Sequence, residues 1–170
     1  LGLRVGGDVD ARIAERLREA ASQLAVFDKA VSLLAVRPRS ARDLQLRLRR
    51  AGASAPTIAR AIERLERLGF VDDDAYARTV ARSRALSGGR SRRRIAQELQ
   101  RHGVARETID AAIADTVADV GLDEGEAALG IARKRMRAMA GLDPRTQRQR
   151  LYAFLARRGY DPDIVTRVVA

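Results

Sequence analysis

The sequence predicts an all-α protein: three tandem three-helix repeats in an elongated, curved array, with an extra N-terminal helix or arm. Three segments fit one template when they are aligned on Gly52, Gly103 and Gly159. Apolar residues recur four and eight positions before each glycine and six and ten positions after it. Apolar residues one turn apart, followed by a glycine, are typical of the end of an amphipathic helix. The repeat of this pattern along the chain indicates an array of small helical modules.

The template and the turn signals divide the chain into an N-terminal arm or helix over 1–25 and repeats over 26–71, 72–120 and 121–170. We expect the arm to be partly ordered, because it lies outside the repeats. The leucine four residues before each template glycine is predicted to be a core residue of its repeat. These leucines are Leu48, Leu99 and Leu155.

The residue types present argue against an enzyme, a metal site or a cofactor. There is no cysteine, which excludes disulfides, thiolate metal ligands and cysteine nucleophiles. The single histidine, His102, precedes a helix-stopping glycine, and we interpret it as a helix cap or a surface residue. Asp72–Asp74 lack the spacing of a calcium loop, so capping of the next helix is favoured. The predicted turn at Ser87–Gly89 lacks the ending of a nucleotide-binding loop.

The chain is strongly basic, with a net charge of +11, and arginine supplies 31 of its 33 basic residues. Such an excess indicates polyanions or acidic protein surfaces as partners. Residues 78–101 hold eight arginines and one acid, Glu98. The segment from Arg90 to Arg94 contains four of these arginines and no acid, which predicts mutual repulsion that a negatively charged partner would relieve. The alternative is a solvated face without a function.

Sequence-specific DNA reading is not favoured, although three helices per unit resemble a helix-turn-helix. The third helix of repeat two carries several carboxylates, such as Glu107 and Asp110, which would oppose phosphates. Base stacking needs exposed rings, whereas four of the six aromatic residues occupy positions predicted to be in the core. These four are Phe27, Phe70, Tyr76 and Phe154. A nonspecific DNA-binding protein without a further partner remains an open alternative.

Three stretches resemble, in order, signatures of the RecX family of RecA recombinase regulators. Leu68–Ala77 is similar to its Gly-aromatic-aliphatic-Asp-Asp-x-x-aromatic-Ala signature. Ser87–Leu99 resembles the family's glycine-rich turn, which leads to Arg-Ile-x-x-Glu-Leu. Arg150–Tyr160 resembles the family's C-terminal run, which reads Arg-Leu-x-x-Phe-Leu-x-Arg-Arg-Gly-aromatic. The resemblance covers residues 26–170. One departure is Ser91, where relatives often have proline, and we expect no more than a looser turn there.

The resemblance implies a non-enzymatic regulator that lies in the groove of the RecA–DNA filament and suppresses ATP hydrolysis and strand exchange, modulating recombination and DNA repair. We expect weak, nonspecific contact with single- and double-stranded DNA. No apolar run of about 18 residues suggests a membrane span. We therefore expect no membrane partner. We also expect the protein to be a monomer and to lie in the cytoplasm.

The predicted contacts with the filament or DNA are arginines in repeats two and three. Arginine suits this role because its planar fork pairs with phosphates and carboxylates alike. The predicted residues are Arg82, Arg84, Arg90, Arg92, Arg93 and Arg94, with Arg157 and Arg158 as a second group.

Overall fold

A computed structural model describes residues 10–88, 90–121 and 123–170, which form nine α-helices and no strand. The helices are α1 (Ala11–Val36), α2 (Ala41–Arg50), α3 (Ala55–Arg67), α4 (Asp73–Gly88), α5 (Arg92–Arg101), α6 (Arg106–Val120), α7 (Glu124–Arg137), α8 (Pro144–Arg157) and α9 (Pro162–Val169). They form three consecutive three-helix modules, which confirms the predicted all-α class and repeat. Residues 1–9 of the predicted arm and Gly89 of the predicted turn lie outside the described residues.

The first helix differs from the prediction, because α1 is continuous over 26 residues. Asp10 caps its start, and its carboxylate accepts a hydrogen bond from the Arg12 amide at 3.3 Å. The sequence analysis had divided the chain at residue 25, between an N-terminal arm or helix and repeat one. Residues 20–30 around this boundary include no glycine or proline, so nothing there stops the helix. The N-terminal segment is thus helical from residue 11 and continuous with the first helix of repeat one, so that position 25 falls inside α1.

Each module has its own hydrophobic core, built from α1–α3, α4–α6 and α7–α9 respectively. Leu48, Leu99 and Leu155 are at most 1% exposed, as predicted. The template glycines that follow have positive φ angles of 88°, 78° and 84°. Residues other than glycine are strained at these positive φ angles, which explains why each helix ends at a glycine.

One aromatic residue predicted to lie in the core is exposed. Phe70 is 59% exposed, whereas its neighbour Val71 is 4% exposed and packs in the first core. After α3 the chain reverses at Gly69, which has a φ of 72°, and the Phe70 amide donates to the Leu65 carbonyl at 2.9 Å. This helix ending turns Val71 inward, so the core prediction for Phe70 is wrong.

The chain divides into two compact units, one ending at Asp72 and the other spanning Asp73–Ala170. The second and third modules therefore share one unit. Within the described residues, no helix combines the length and the apolar character needed to cross a membrane.

Truncation of the core leucine of the second module tests this packing. Leu99→Ala is expected to lower the free energy of unfolding by about 2–5 kcal/mol, because it leaves a cavity between buried side chains. Leu86, which is 62% exposed on α4, provides the matched control. Leu86→Ala should change the free energy by no more than about 0.5 kcal/mol. Equal effects of the two substitutions in denaturant unfolding would contradict the assignment of Leu99 to the core.

Candidate functional site

Ser91 joins the second module to the third. Its hydroxyl oxygen accepts a hydrogen bond from the Arg94 amide at 3.1 Å, which caps α5. The same hydroxyl donates to the carbonyl oxygen of Arg158 at 3.2 Å, and Ser91 is only 1% exposed. Proline offers neither interaction. Ser91 is thus a buried cap that also binds the end of α8.

The absence of a side chain at Gly159 allows this close approach. A Cβ atom built there would lie 2.8 Å from Ser91 Oγ and 3.3 Å from the Cβ of Arg94. A second contact joins the modules, since the Arg92 amide donates to a carboxylate oxygen of Glu124. The C-terminal end of α8 is thereby held against the N-terminal end of α5.

A cleft of about 640 Å³ lies beside this junction. It brings together arginines from the two groups that the sequence singled out. Every lining side chain in the described part of the chain is charged or polar: Arg90, Arg94, Glu98, Arg101, His102, Arg157 and Arg158. The sequence reasoning missed Arg101 and His102, although their spacing of seven and eight residues from Arg94 places all three along one side of α5.

Glu98 is the acid of this cleft and holds two of the predicted arginines. Its side chain is only 12% exposed. Arg84 donates to it from Nε at 3.0 Å and from Nη2 at 2.8 Å, and Arg90 donates to its other oxygen. The hydrogen bonds from Arg84 keep the pKa of Glu98 below its ordinary value, and the same bonds raise the pKa of Arg84. At Arg90, the repulsion predicted among neighbouring arginines is therefore relieved by a carboxylate of the same chain, Glu98.

Four predicted arginines lie outside the cleft lining, and one of them, Arg84, reaches the cleft only through Glu98. Arg82 pairs with Asp119 of α6 at 3.2 Å, and both side chains are more than half exposed. Arg92 borders a different depression, beside apolar residues of α6 such as Ile113. Arg93 is exposed on the first turn of α5. The predicted set is thus divided between the cleft and the surfaces next to it.

The three cleft arginines that are exposed are Arg94, Arg101 and Arg157. Arg158 is half-buried, and its guanidinium lies over the Phe154 ring at 4.7 Å from the centroid. Guanidinium groups that converge in one place attract phosphates and carboxylates. Among the described residues, no group of three His, Cys, Asp or Glu side chains is placed to hold a metal ion. The fold and the cleft define a helical-repeat protein in which arginines of two modules converge on one cleft.

Comparison with known proteins identifies the family. The family models for the first, second and third three-helix domains of RecX match residues 27–65, 72–113 and 123–169. The regulatory protein RecX of Mycobacterium sp. (strain JLS) is 35% identical over 139 residues, which cover 81% of this chain and 75% of that protein. RecX of Streptomyces coelicolor is 33% identical over 137 residues, or 81% and 71% of the two chains. The chain belongs to the RecX family of regulatory proteins.

Solved structures agree with this fold. The crystal structure of RecX from Lactobacillus salivarius superposes with a TM-score of 0.73 at 18% identity, covering 88% of this chain and 96% of that one. A second crystal structure of a regulatory protein RecX gives a TM-score of 0.80 at 20% identity, covering 98% and 80%. At sequence identities of 18% and 20%, this similarity supports the assignment of the fold alone.

Replacement of the buried acid tests the network in the cleft. Glu98→Gln should lower the free energy of unfolding near neutral pH, because two guanidiniums lose an ionised partner. The native pKa of Glu98 is depressed, so the wild-type advantage is present above the unfolded-state pKa and is lost as pH falls through the native pKa. The gap between the denaturant midpoints of the two proteins should therefore be full above the unfolded-state pKa of about 4.3 and should close as pH falls through the lower native pKa.

The control for this prediction is Asp115→Asn, which removes an exposed carboxylate from α6 of the same unit. Its stability should follow that of the wild type across the whole pH range. A constant gap between Glu98→Gln and wild type down to acid pH would contradict the ionised network.

Proposed function

We propose that this protein binds the RecA–DNA filament and inhibits its ATPase and strand-exchange activities, and so modulates recombination and DNA repair. The observation that carries the proposal is the convergence of five arginines from two modules on one cleft, in a chain of the RecX family. Its curated relatives carry the name of a regulatory protein. A filament of recombinase and DNA offers the repeated negative charge that this surface would match.

The arginines in and beside the cleft divide into two roles under this proposal. Arg84 and Arg90 are held by Glu98, so they shape the wall and contribute positive charge from fixed positions. Arg94, Arg101 and Arg157 are exposed and would make the direct contacts with the filament. Loss of exposed guanidiniums alters charge without removing buried packing, so it should affect binding more than folding.

The predicted arginines outside the lining extend the proposed surface. Arg93 lies on the same helical turn as Arg94, and Arg92 directly precedes them. Arg82 would contribute only if its exposed ion pair with Asp119 opened, and an exposed pair of this kind is weak. We place these three at the edge of the contact.

The mechanism that we propose is mechanical restraint. The hydrogen bond from Ser91 to the Arg158 carbonyl and the contact between Arg92 and Glu124 join two modules into one unit. A joined pair of modules that spans neighbouring protomers would resist the changes between protomers that accompany ATP turnover. Under this proposal the protein acts as a monomer in the cytoplasm, where the recombinase and its DNA meet.

The test is the ATPase rate of RecA on single-stranded DNA with this protein added. Wild-type protein should lower the rate in a dose-dependent manner. The variant Arg94→Ala/Arg101→Ala/Arg157→Ala should need about tenfold or more protein for the same inhibition, because it loses contacts to phosphates or carboxylates. The matched control Arg133→Ala/Arg137→Ala/Arg148→Ala removes the same charge from exposed positions of the third module and should inhibit like the wild type.

Two results would count against the proposal. A cleft variant that folds normally and inhibits at wild-type concentrations would remove these arginines from the contact. Salt-sensitive DNA binding by the wild type with no change in ATPase rate would instead support a nonspecific DNA-binding protein without a recombinase partner.

A further inference from the structure

Helix α1 extends beyond the core that it helps to build. The α1 residues that pack in the first core begin at Val26, whereas the helix begins at Ala11, about four turns earlier. Apolar residues continue through this extension at alternating steps of four and three residues, a spacing typical of a helix that packs along another helix. These residues are Ile13, Leu17, Ala20 and Leu24.

A groove of about 350 Å³ lies between the extension and α3, within the first unit. We call it the α1/α3 groove. Leu24 of its lining is 57% exposed, and Leu17, one heptad earlier on α1, is 39% exposed. Burial of such surface favours association with a partner. The apolar side chains that line the groove are Ala20, Leu24, Phe27 and Ala61.

The α3 side of the groove is basic. Arg60, Arg64 and Arg67 follow one another at steps of four and three residues, so they lie along one face of α3 over about two turns. All three side chains are exposed, and we call them the arginine row. The Arg64 guanidinium lies over the Phe27 ring at 4.3 Å from the centroid, which joins the basic side of the groove to its apolar lining.

Two members of the arginine row have acidic neighbours on the same unit. Arg60 donates to Glu19 of α1 at 2.7 Å, and Arg67 donates to Glu63 at 2.9 Å. All four side chains are more than half exposed, and exposed ion pairs of this kind are weak. Carboxylates of a partner could therefore join or replace these pairs at little cost.

The combination of apolar and basic surface favours one kind of occupant. The phosphates of a nucleic acid would pair with the arginine row but gain nothing from exposed leucine side chains. A second copy of this chain would bring its own arginine row to a symmetric contact, where the two rows would repel each other. An amphipathic helix fits a groove between two helices, and acidic residues beside its apolar face would complement the arginines.

We propose that the α1/α3 groove binds an acidic amphipathic α-helix of a partner protein. The apolar face of that helix packs on Leu24 and the apolar lining around it, and its carboxylates follow the arginine row. This surface shares no residue with the arginine-lined cleft of the second unit. It is therefore an interaction site separate from the one used in the proposed function.

A matched pair of synthetic peptides tests the proposal. Both peptides have about three heptads with leucine at the a and d positions. One carries glutamate beside the apolar face at steps of four and three residues, and the other carries glutamine at those positions. Binding to the full chain is measured by fluorescence anisotropy at constant ionic strength. The glutamate peptide should bind about tenfold or more tightly than the glutamine peptide.

Replacement of the exposed leucine tests the apolar contact. Leu24→Asn should weaken the binding of both peptides by about tenfold, because it removes apolar contact area from the centre of the groove. Leu86→Asn makes the same change at a residue of α4 that is 62% exposed, and it should leave both affinities near the wild-type values. Circular dichroism of each variant checks that the helices are retained.

Replacement of arginines tests the charge contact. Arg60→Gln/Arg67→Gln should weaken the glutamate peptide by about tenfold and change the glutamine peptide little, because only the former has carboxylates to lose. Arg42→Gln/Arg49→Gln removes the same charge from exposed positions of α2 in the same unit and should leave both affinities near the wild-type values. Amide chemical shifts in NMR spectra should change on peptide binding at Ala20, Leu24 and Thr57.

Four results would overturn the proposal. They are no binding of the glutamate peptide at about 1 mM, equal affinities of the two peptides, wild-type affinity of Leu24→Asn, and shift changes confined to residues outside the groove. Oligothymidylate binding that Leu24→Asn weakens would overturn it in favour of a nucleic acid, and dimerisation that Leu24→Asn abolishes would do so in favour of a second copy. No outcome depends on the recombinase ATPase assay, so the two proposals fail separately.

Discussion

The close approach of α8 to α5 is the constraint on which the cleft depends. A glycine at position 159 leaves room for Ser91, which caps α5 and binds the carbonyl oxygen of Arg158. Since a Cβ atom at Gly159 would meet Ser91 Oγ at 2.8 Å, any larger residue would push the two helix ends apart. The same glycine ends α8 with a φ of 84°, so one residue both stops a helix and permits a contact between modules.

The second requirement is a buried acid within a basic surface. Several guanidiniums in one cleft repel one another, and Glu98 relieves part of that repulsion by binding Arg84 and Arg90 through both of its oxygens. Its low pKa follows from these contacts, so it stays ionised at neutral pH. Under the proposed function, the exposed arginines of the cleft are the ones that contact the partner.

From the sequence we predicted the structural features that local residue patterns determine. We missed the features that depend on tertiary contacts. Helical spacing and the template glycines sufficed for the three cores, because buried leucines recur one turn before each stop. The exposure of Phe70 depends on how the chain reverses after α3, which composition does not encode. Likewise, the hydrogen bond of Ser91 to a residue 67 positions away is not visible in any local motif. Within the site, the arginine-rich segments were evident, whereas their junction and the place of His102 beside them were not.

Arginine footprinting of the filament-bound protein tests the central claim most directly. The protein would be treated with phenylglyoxal, free and bound to RecA on single-stranded DNA, and modified residues would be identified by mass spectrometry. The account predicts strong protection of Arg94, Arg101 and Arg157 on binding, with the exposed Arg133 and Arg148 modified equally in both states. Protection of Arg133 and Arg148 with continued modification of the three cleft arginines would show that the filament contacts another face, and would contradict it.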